Sequence, residues 1–192
     1  AVGVALVNGE IIEAGVVVVS AGALHSPAIL LRSGVDRAGV GHGLHDHPSL
    51  SLRLQSNTST SQSPLDVSVL VHGSHASKRD VQVVPFEGVE GASLMAAAMR
   101  VHSRGRVSLA SADPSVSPTI EFNMLDDERD LDLLRAAAEE AARVAIHPTV
   151  AAVASASAAP TNGDELRGAV GDYFHAAGSC RIGAADDPMA DT

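Results

Sequence analysis

Apolar residues fall into several patterns along this chain, and each predicts a different kind of element. Near the start four valines stand in a row, Val16 to Val19, apolar on both faces, which predicts a central strand covered on two sides, as in a parallel sheet. Ahead of it, Val2 to Leu6, Asn8-Gly9 and Ile11-Ile12 predict a hairpin closed by a tight type I′ turn. Behind it come the small residues Ser20 to Ala23, then Ser26 placed to cap, Pro27 suited to the first helical position, Ile29 to Leu31 as an apolar face, and Gly34 as a stop. A strand, a glycine turn and a helix start bring backbone N–H groups toward an anionic ligand at a sheet edge.

After His47-Pro48 the pattern changes to strict alternation. Leu50, Leu52 and Leu54 share one face, with Ser49, Ser51, Arg53 and Gln55 on the other. Val67 to Val71, Val81 to Pro85, Leu94 to Val101 and Arg106 to Leu109 follow as further strands at short intervals, which predicts an antiparallel sheet. The Ser/Thr-rich stretch from Asn57 to Pro64 has no periodicity and reads as a loop. The clearest helix runs from Asp127 to Ile146, where Leu131, Leu134, Ala138, Ala141 and Ala145 are spaced for one buried face and His147-Pro148 ends it. Thr161-Asn162-Gly163-Asp164 predicts a capped short helix to about Val170. For the Ala-rich stretch from Val150 to Pro160, small-residue packing and a loop are both open. The fold class is therefore α+β, an antiparallel sheet flanked by helices, with pieces of an α/β layer at its flanks.

Composition narrows the function classes. Of 192 residues, 45% are hydrophobic and 19% charged, enough for a folded core. Aromatics are 2% with no Trp, so the core is built from Val, Ala, Leu and Ile. A formal net charge of −10 repels nucleic-acid backbones and anionic membrane surfaces. One cysteine, Cys180, excludes an intrachain disulfide and fits a reducing, cytoplasmic setting. No apolar run reaches membrane-spanning length.

The candidate chemistry lies in Asp172-Tyr173-Phe174-His175-Ala176-Ala177-Gly178-Ser179-Cys180-Arg181-Ile182-Gly183. Histidine titrates nearest neutrality, so His175 can take a proton from a substrate hydroxyl. Together with Ala21-Gly22-Ala23-Leu24-His25-Ser26-Pro27 through Ser33-Gly34-Val35, with Gly41-His42-Gly43-Leu44-His45-Asp46-His47-Pro48, and with Ser103-Arg104-Gly105-Arg106-Val107-Ser108 through Asp113-Pro114, this stretch resembles, in order, the motifs of the glucose–methanol–choline (GMC) family of FAD-dependent oxidoreductases. Within that family the chain looks broadly like members associated with the redox peptide mycofactocin. Two positions depart from the pattern: Gly43 stands where members carry Asn, and Asp36 where the first signature ends in glycine.

The resemblance implies that residues 1–44 belong to a Rossmann-like FAD-binding domain, that 45–160 form a substrate-binding domain, and that 161–192 return to the FAD domain with His175 as the active-site base. It implies cofactor contacts at Ala21, Gly22, Ala23 and Ser26, and substrate contacts at Phe174, Asp46 and His47. It further implies a small-molecule alcohol substrate, an open electron acceptor and a homodimer. The family's G-x-G-x-x-G element is not found among these residues and is expected ahead of Ala1, and its second active-site His or Asn is expected beyond Thr192. The expectation is an internal or carboxyl-side piece of a longer enzyme, inactive alone.

Two other readings stay open. His42, His45 and His47 beside Asp46 have ligand types that suit zinc, as in a metal-dependent hydrolase, although the family carries no metal here. The third reading is a non-catalytic module that binds a substrate or a partner.

Overall fold

The computed structural model describes residues 1–35, 37, 39–57, 70–72, 79–88 and 91–181. The chain divides into two compact units. One comprises Ala1–His45, Arg104–Phe122 and the segment from Ala176; the other comprises Asp46–Ser103 and Asn123–His175. Pairing joins the first two segments of that first unit: the strands at Gly105–Ser108 and Thr119–Glu121 complete a sheet with the strand at His42–Leu44.

In the first unit, β1 (Gly3–Ala5) and β2 (Ile11–Glu13) form the expected hairpin. Its turn is not type I′, which needs positive φ at both central residues. Only Gly9 is left-handed, at φ 85°. Gly9 N–H donates to the Leu6 carbonyl at 2.9 Å, and the Asn8 side-chain oxygen accepts from Glu10 N–H at 3.0 Å. Asn8 thus closes the loop with its side chain instead of a left-handed backbone.

The four valines are a second correction. Val16 to Val19 form no strand, and Val16 and Val18 are each 81% exposed. An apolar run acquires strand geometry only when a neighbouring strand takes its N–H and C=O groups, and none of the described residues pairs with it.

Helix α1 (Gly22–Arg32) begins five residues before the expected start at Pro27, so Pro27 lies inside it. Its end is as expected. Gly34, at φ 77°, allows Val35 N–H to reach the Leu30 carbonyl and Gly34 N–H the Leu31 carbonyl, each at 3.0 Å. Strands β3 (His42–Leu44), β8 (Gly105–Ser108) and β9 (Thr119–Glu121) make an antiparallel sheet in the order β3-β8-β9. Gly41, at φ 80°, lies where an added Cβ would strike the Val107 carbonyl, so this crossing needs glycine.

The second unit is built on a five-stranded antiparallel sheet. Its members are β4 (Ser49–Ser56), β5 (Leu70–His72), β6 (Val81–Gly88), β7 (Gly91–Ala98) and β10 (Ala154–Ala156), in the order β10-β4-β7-β6-β5. The alternation in β4 is realised: Leu50 and Leu52 are buried, Ser51 and Arg53 exposed. Strand β7 sits three residues earlier than expected. The stretch left open between Val150 and Pro160 resolves into α3 (Pro148–Ala151) and then β10. The expected strand at Val67 to Val69 and the loop beyond Asn57 lie outside the described residues.

Helix α2 (Glu128–Ala145) packs on β4, β6 and β7, burying Leu131, Leu134, Ala138, Ala141 and Ala145, all as the spacing predicts. Its alanines let the helix approach the sheet closely, and Leu50, Leu52, Val81, Val83 and Leu94 meet it to form the core. Asp127 caps it by accepting from Arg129 N–H at 3.0 Å. Buried Asp130 accepts from His102 N–H at 2.8 Å and Ser103 N–H at 2.7 Å, which fixes the helix start to the chain after β7. Helix α4 (Gly163–Ala169) is capped by Asn162 through Glu165 N–H, while the Glu165 carboxylate accepts from Thr161 N–H at 2.7 Å.

Candidate active site

The His175 motif is tied to the start of β4 by main-chain bonds. Ser49 and Gly171 exchange N–H to carbonyl bonds at 2.9 and 2.8 Å, and Ser49 Oγ donates to the Asp172 carbonyl at 2.8 Å. The residues just before β4 complete the attachment. Asp46 is 2% exposed, and its carboxylate accepts from His47 N–H at 2.6 Å, Tyr173 N–H at 3.3 Å, and His175 N–H with both oxygens at 3.1 Å. A buried carboxylate is tolerated only with its lone pairs filled, and backbone donors fill these.

Between those two donors stands Phe174 with φ 59° and 90% of its surface exposed. A large side chain in the left-handed region is a strained arrangement of the kind that concentrates at functional sites. The turn brings the Tyr173 carbonyl within 2.7 Å of His175 Nδ1. A carbonyl only accepts, so Nδ1 carries the proton and Nε2 is the acceptor nitrogen of the neutral ring. His175 itself is exposed.

Three rings gather here. Tyr173 stacks on His175 with centroids 4.8 Å apart and a 27° angle, and His47 meets Tyr173 edge-on at 5.8 Å and lies 6.0 Å from His175. The Tyr173 hydroxyl donates to Gln82 Oε1 of β6 at 3.1 Å, and burial raises its phenol above the ordinary value. His175, Phe174, His47 and Asp46, all singled out in the sequence, are thus brought together, with Asp46 buried and bonded to backbone N–H groups. Tyr173 and Gln82 were missed. Tyr173 lies two residues before the histidine, and its ring position depends on a turn that no pattern announces; nothing in the sequence marks Gln82.

The small-residue turn belongs to the first unit. Ala21 precedes α1 without a side-chain cap, and the first turn of the helix holds no acid. Gly22 has φ 77°, and a Cβ built there meets nothing within 4 Å. Ser26 Oγ accepts from Ala21 N–H at 3.0 Å, which tightens the turn. Uncapped N–H groups beside an open, left-handed glycine suit an electron-rich edge of a cofactor. Farther along the helix, Pro27 has no N–H for the Ala23 carbonyl, and Ser179 Oγ donates to that carbonyl instead. The turn and the Gly178-Ser179-Cys180 segment are therefore linked within one unit. Gly178, at φ 89°, also passes so close to His45 that an added Cβ would lie 2.6 Å from its ring. Burial pushes the Cys180 thiol up, as for a packed residue rather than a nucleophile.

The histidine cluster does not assemble. His45 Nδ1 lies 2.9 Å from the Gly43 carbonyl and His42 is exposed. Among the described residues no group of three or more His, Cys, Asp or Glu side chains is placed to hold a metal ion.

Comparison with known proteins gives the chain its relatives. The N-terminal and C-terminal parts of the GMC oxidoreductase family match residues 1–49 and 101–191. The chain belongs to the GMC oxidoreductase family. A 5-(hydroxymethyl)furfural oxidase of Methylovorus sp. (strain MP688) is 32% identical over 232 residues, covering 93% of this chain and 43% of its own length. Among solved structures, pyridoxine 4-oxidase from Mesorbium loti superposes with a TM-score of 0.75 at 22% identity, over 88% of this chain and 41% of that one. An FAD-dependent oxidoreductase from Chaetomium thermophilum superposes with a TM-score of 0.66 at 15% identity, over 84% and 45%. This GMC chain therefore spans less than half the length of these relatives. The α+β class and the FAD expected from the sequence agree with the family. Among the described residues no helix is long and apolar enough to cross a membrane.

Proposed function

We propose that the whole protein oxidises an alcohol CH–OH group, with His175 as the base. The observation that carries this reading is the 2.7 Å contact of His175 Nδ1 with the Tyr173 carbonyl: a carbonyl only accepts, so Nε2 of the neutral ring is left to accept a hydroxyl proton, on a ring that is exposed yet held at its backbone. Removing that proton as the C–H bond breaks makes the carbon a better hydride donor. FAD, when bound, supplies the hydride acceptor. Ala21, Gly22 and Ala23 would hold it through backbone groups, with Ser26 fixing the turn that presents them.

Phe174 and His47 flank the base and are assigned to substrate contact. The exposed phenyl group favours a substrate with an apolar body next to its hydroxyl. One relative is named for 5-(hydroxymethyl)furfural, and a primary hydroxyl is the first substrate class to test.

The test is the visible spectrum of the whole flavin-loaded protein during anaerobic addition of primary alcohols. Bleaching of the flavin band is expected, and His175→Ala should slow it by about 10²- to 10⁴-fold while the flavin stays bound. An unchanged rate would remove His175 from the role of base. A flavin band that no alcohol bleaches would remove the alcohol chemistry.

A further inference from the structure

We propose that Asp46 is a positioning residue for His175: its buried carboxylate holds the Tyr173-Phe174-His175 turn and so fixes which imidazole nitrogen is the acceptor. This rests on the reading of His175 as the base. Asp46 was expected among the substrate contacts, but both its oxygens are spent on backbone donors, and at 2% exposure it has no surface for a ligand.

The geometry runs in three steps. First, the Tyr173 and His175 N–H groups converge on one carboxylate because Phe174 between them is left-handed. Successive backbone N–H groups around a left-handed residue make a concave anion site, and here the protein supplies its own anion. Second, phenylalanine does not adopt that conformation by preference, so the turn needs an outside hold, and Asp46, reaching across 127 and 129 positions of sequence, provides it. Third, the same turn sets the Tyr173 carbonyl 2.7 Å from Nδ1, which puts the ring proton on Nδ1 and the lone pair on Nε2. Without the carboxylate the turn relaxes, the carbonyl leaves Nδ1, and both tautomers are populated.

The test compares Asp46→Asn with His175→Ala in the flavin-loaded protein, reading the anaerobic flavin-reduction rate, the alcohol KM and the ¹⁵N shifts of the His175 ring. Asparagine keeps the volume but sets an NH₂ donor against the N–H groups. D46N should lose about 10- to 100-fold in rate through misplacement of the base, with KM little changed and with the single-tautomer ¹⁵N signature replaced by a mixture. Phe174→Gly accepts the left-handed turn without strain, so the D46N/F174G double variant should regain the single-tautomer signature. That recovery also serves if D46N alone folds poorly.

A D46N rate within about twofold of wild type while H175A collapses would overturn the proposal. So would a slowed D46N whose ¹⁵N signature is unaltered, since that is what general loss of structure produces. An H175A protein that reduces its flavin at the normal rate would refute the base, not the clamp, and the ¹⁵N signature would still decide the latter.

Discussion

The two units treat their apolar residues in opposite ways. In the second, the leucines of β4, the valines of β6 and the Leu and Ala face of α2 cover one another, and every member of the main core cluster lies there. In the first, Val2, Val7, Ile11, Val16 and Val18 are exposed, and among the described residues Ala28, Val40, Leu44 and Val107 are the buried hydrophobic ones. Yet the sequence of the first unit is just as patterned. An apolar pattern states that a segment can be buried, and only a partner decides whether it is.

That contrast can be broken by mutation. Leu134 is fully buried under the sheet, so Leu134→Ala should cost about 2–5 kcal/mol, read as a loss of thermal or urea stability. A loss below about 1 kcal/mol would mean that the α2 contact is not where the second unit draws its stability.

The first unit depends instead on particular polar repairs. Ser179→Ala removes the donor to the Ala23 carbonyl and should cost about 1 kcal/mol. In a Pro27→Ala background the helix regains its own N–H for that carbonyl, so the same substitution should cost less. A double-mutant cycle with no coupling would show that proline and serine are unrelated.

A smaller effect is expected at the α2 cap. The Arg129 guanidinium, and then the Arg129 N–H, hold the Asp127 carboxyl well below the usual carboxylate range. A lowered folded-state value contributes stability above the unfolded carboxylate's pKa and loses it as pH falls through the folded one. The melting temperature of Asp127→Asn should therefore fall less steeply with acid than that of wild type; parallel acid limbs would argue against the cap's charge. Smallest of all, Val18→Thr on an exposed position should change stability in this chain by no more than about 0.5 kcal/mol.

How much was legible follows the same division. Helix α2 and its five buried positions could be read from a period of 3.6 because the sheet that covers them lies in the same chain. Gly34 as a helix stop was readable because its cause is local. The valine strand was misread because its covering layer is not a property of those four residues. Pro27 was placed at a helix start because its missing N–H is harmless there, and the donor that makes it harmless inside the helix, Ser179, lies 152 positions away. At the site, the histidine and its neighbours were visible as residue types. The clamp was not, because its grip is a left-handed turn at Phe174 that residue identity argues against.

One consequence is optical. The chain contains a single tyrosine and no tryptophan, and that tyrosine is the ring stacked 4.8 Å from His175. Under excitation at wavelengths that phenylalanine does not absorb, ultraviolet emission from this chain therefore has one source, seated against the proposed base and hydrogen-bonded to Gln82. Quenching by the imidazole and relief on its movement would both be seen through that one lamp, without a label.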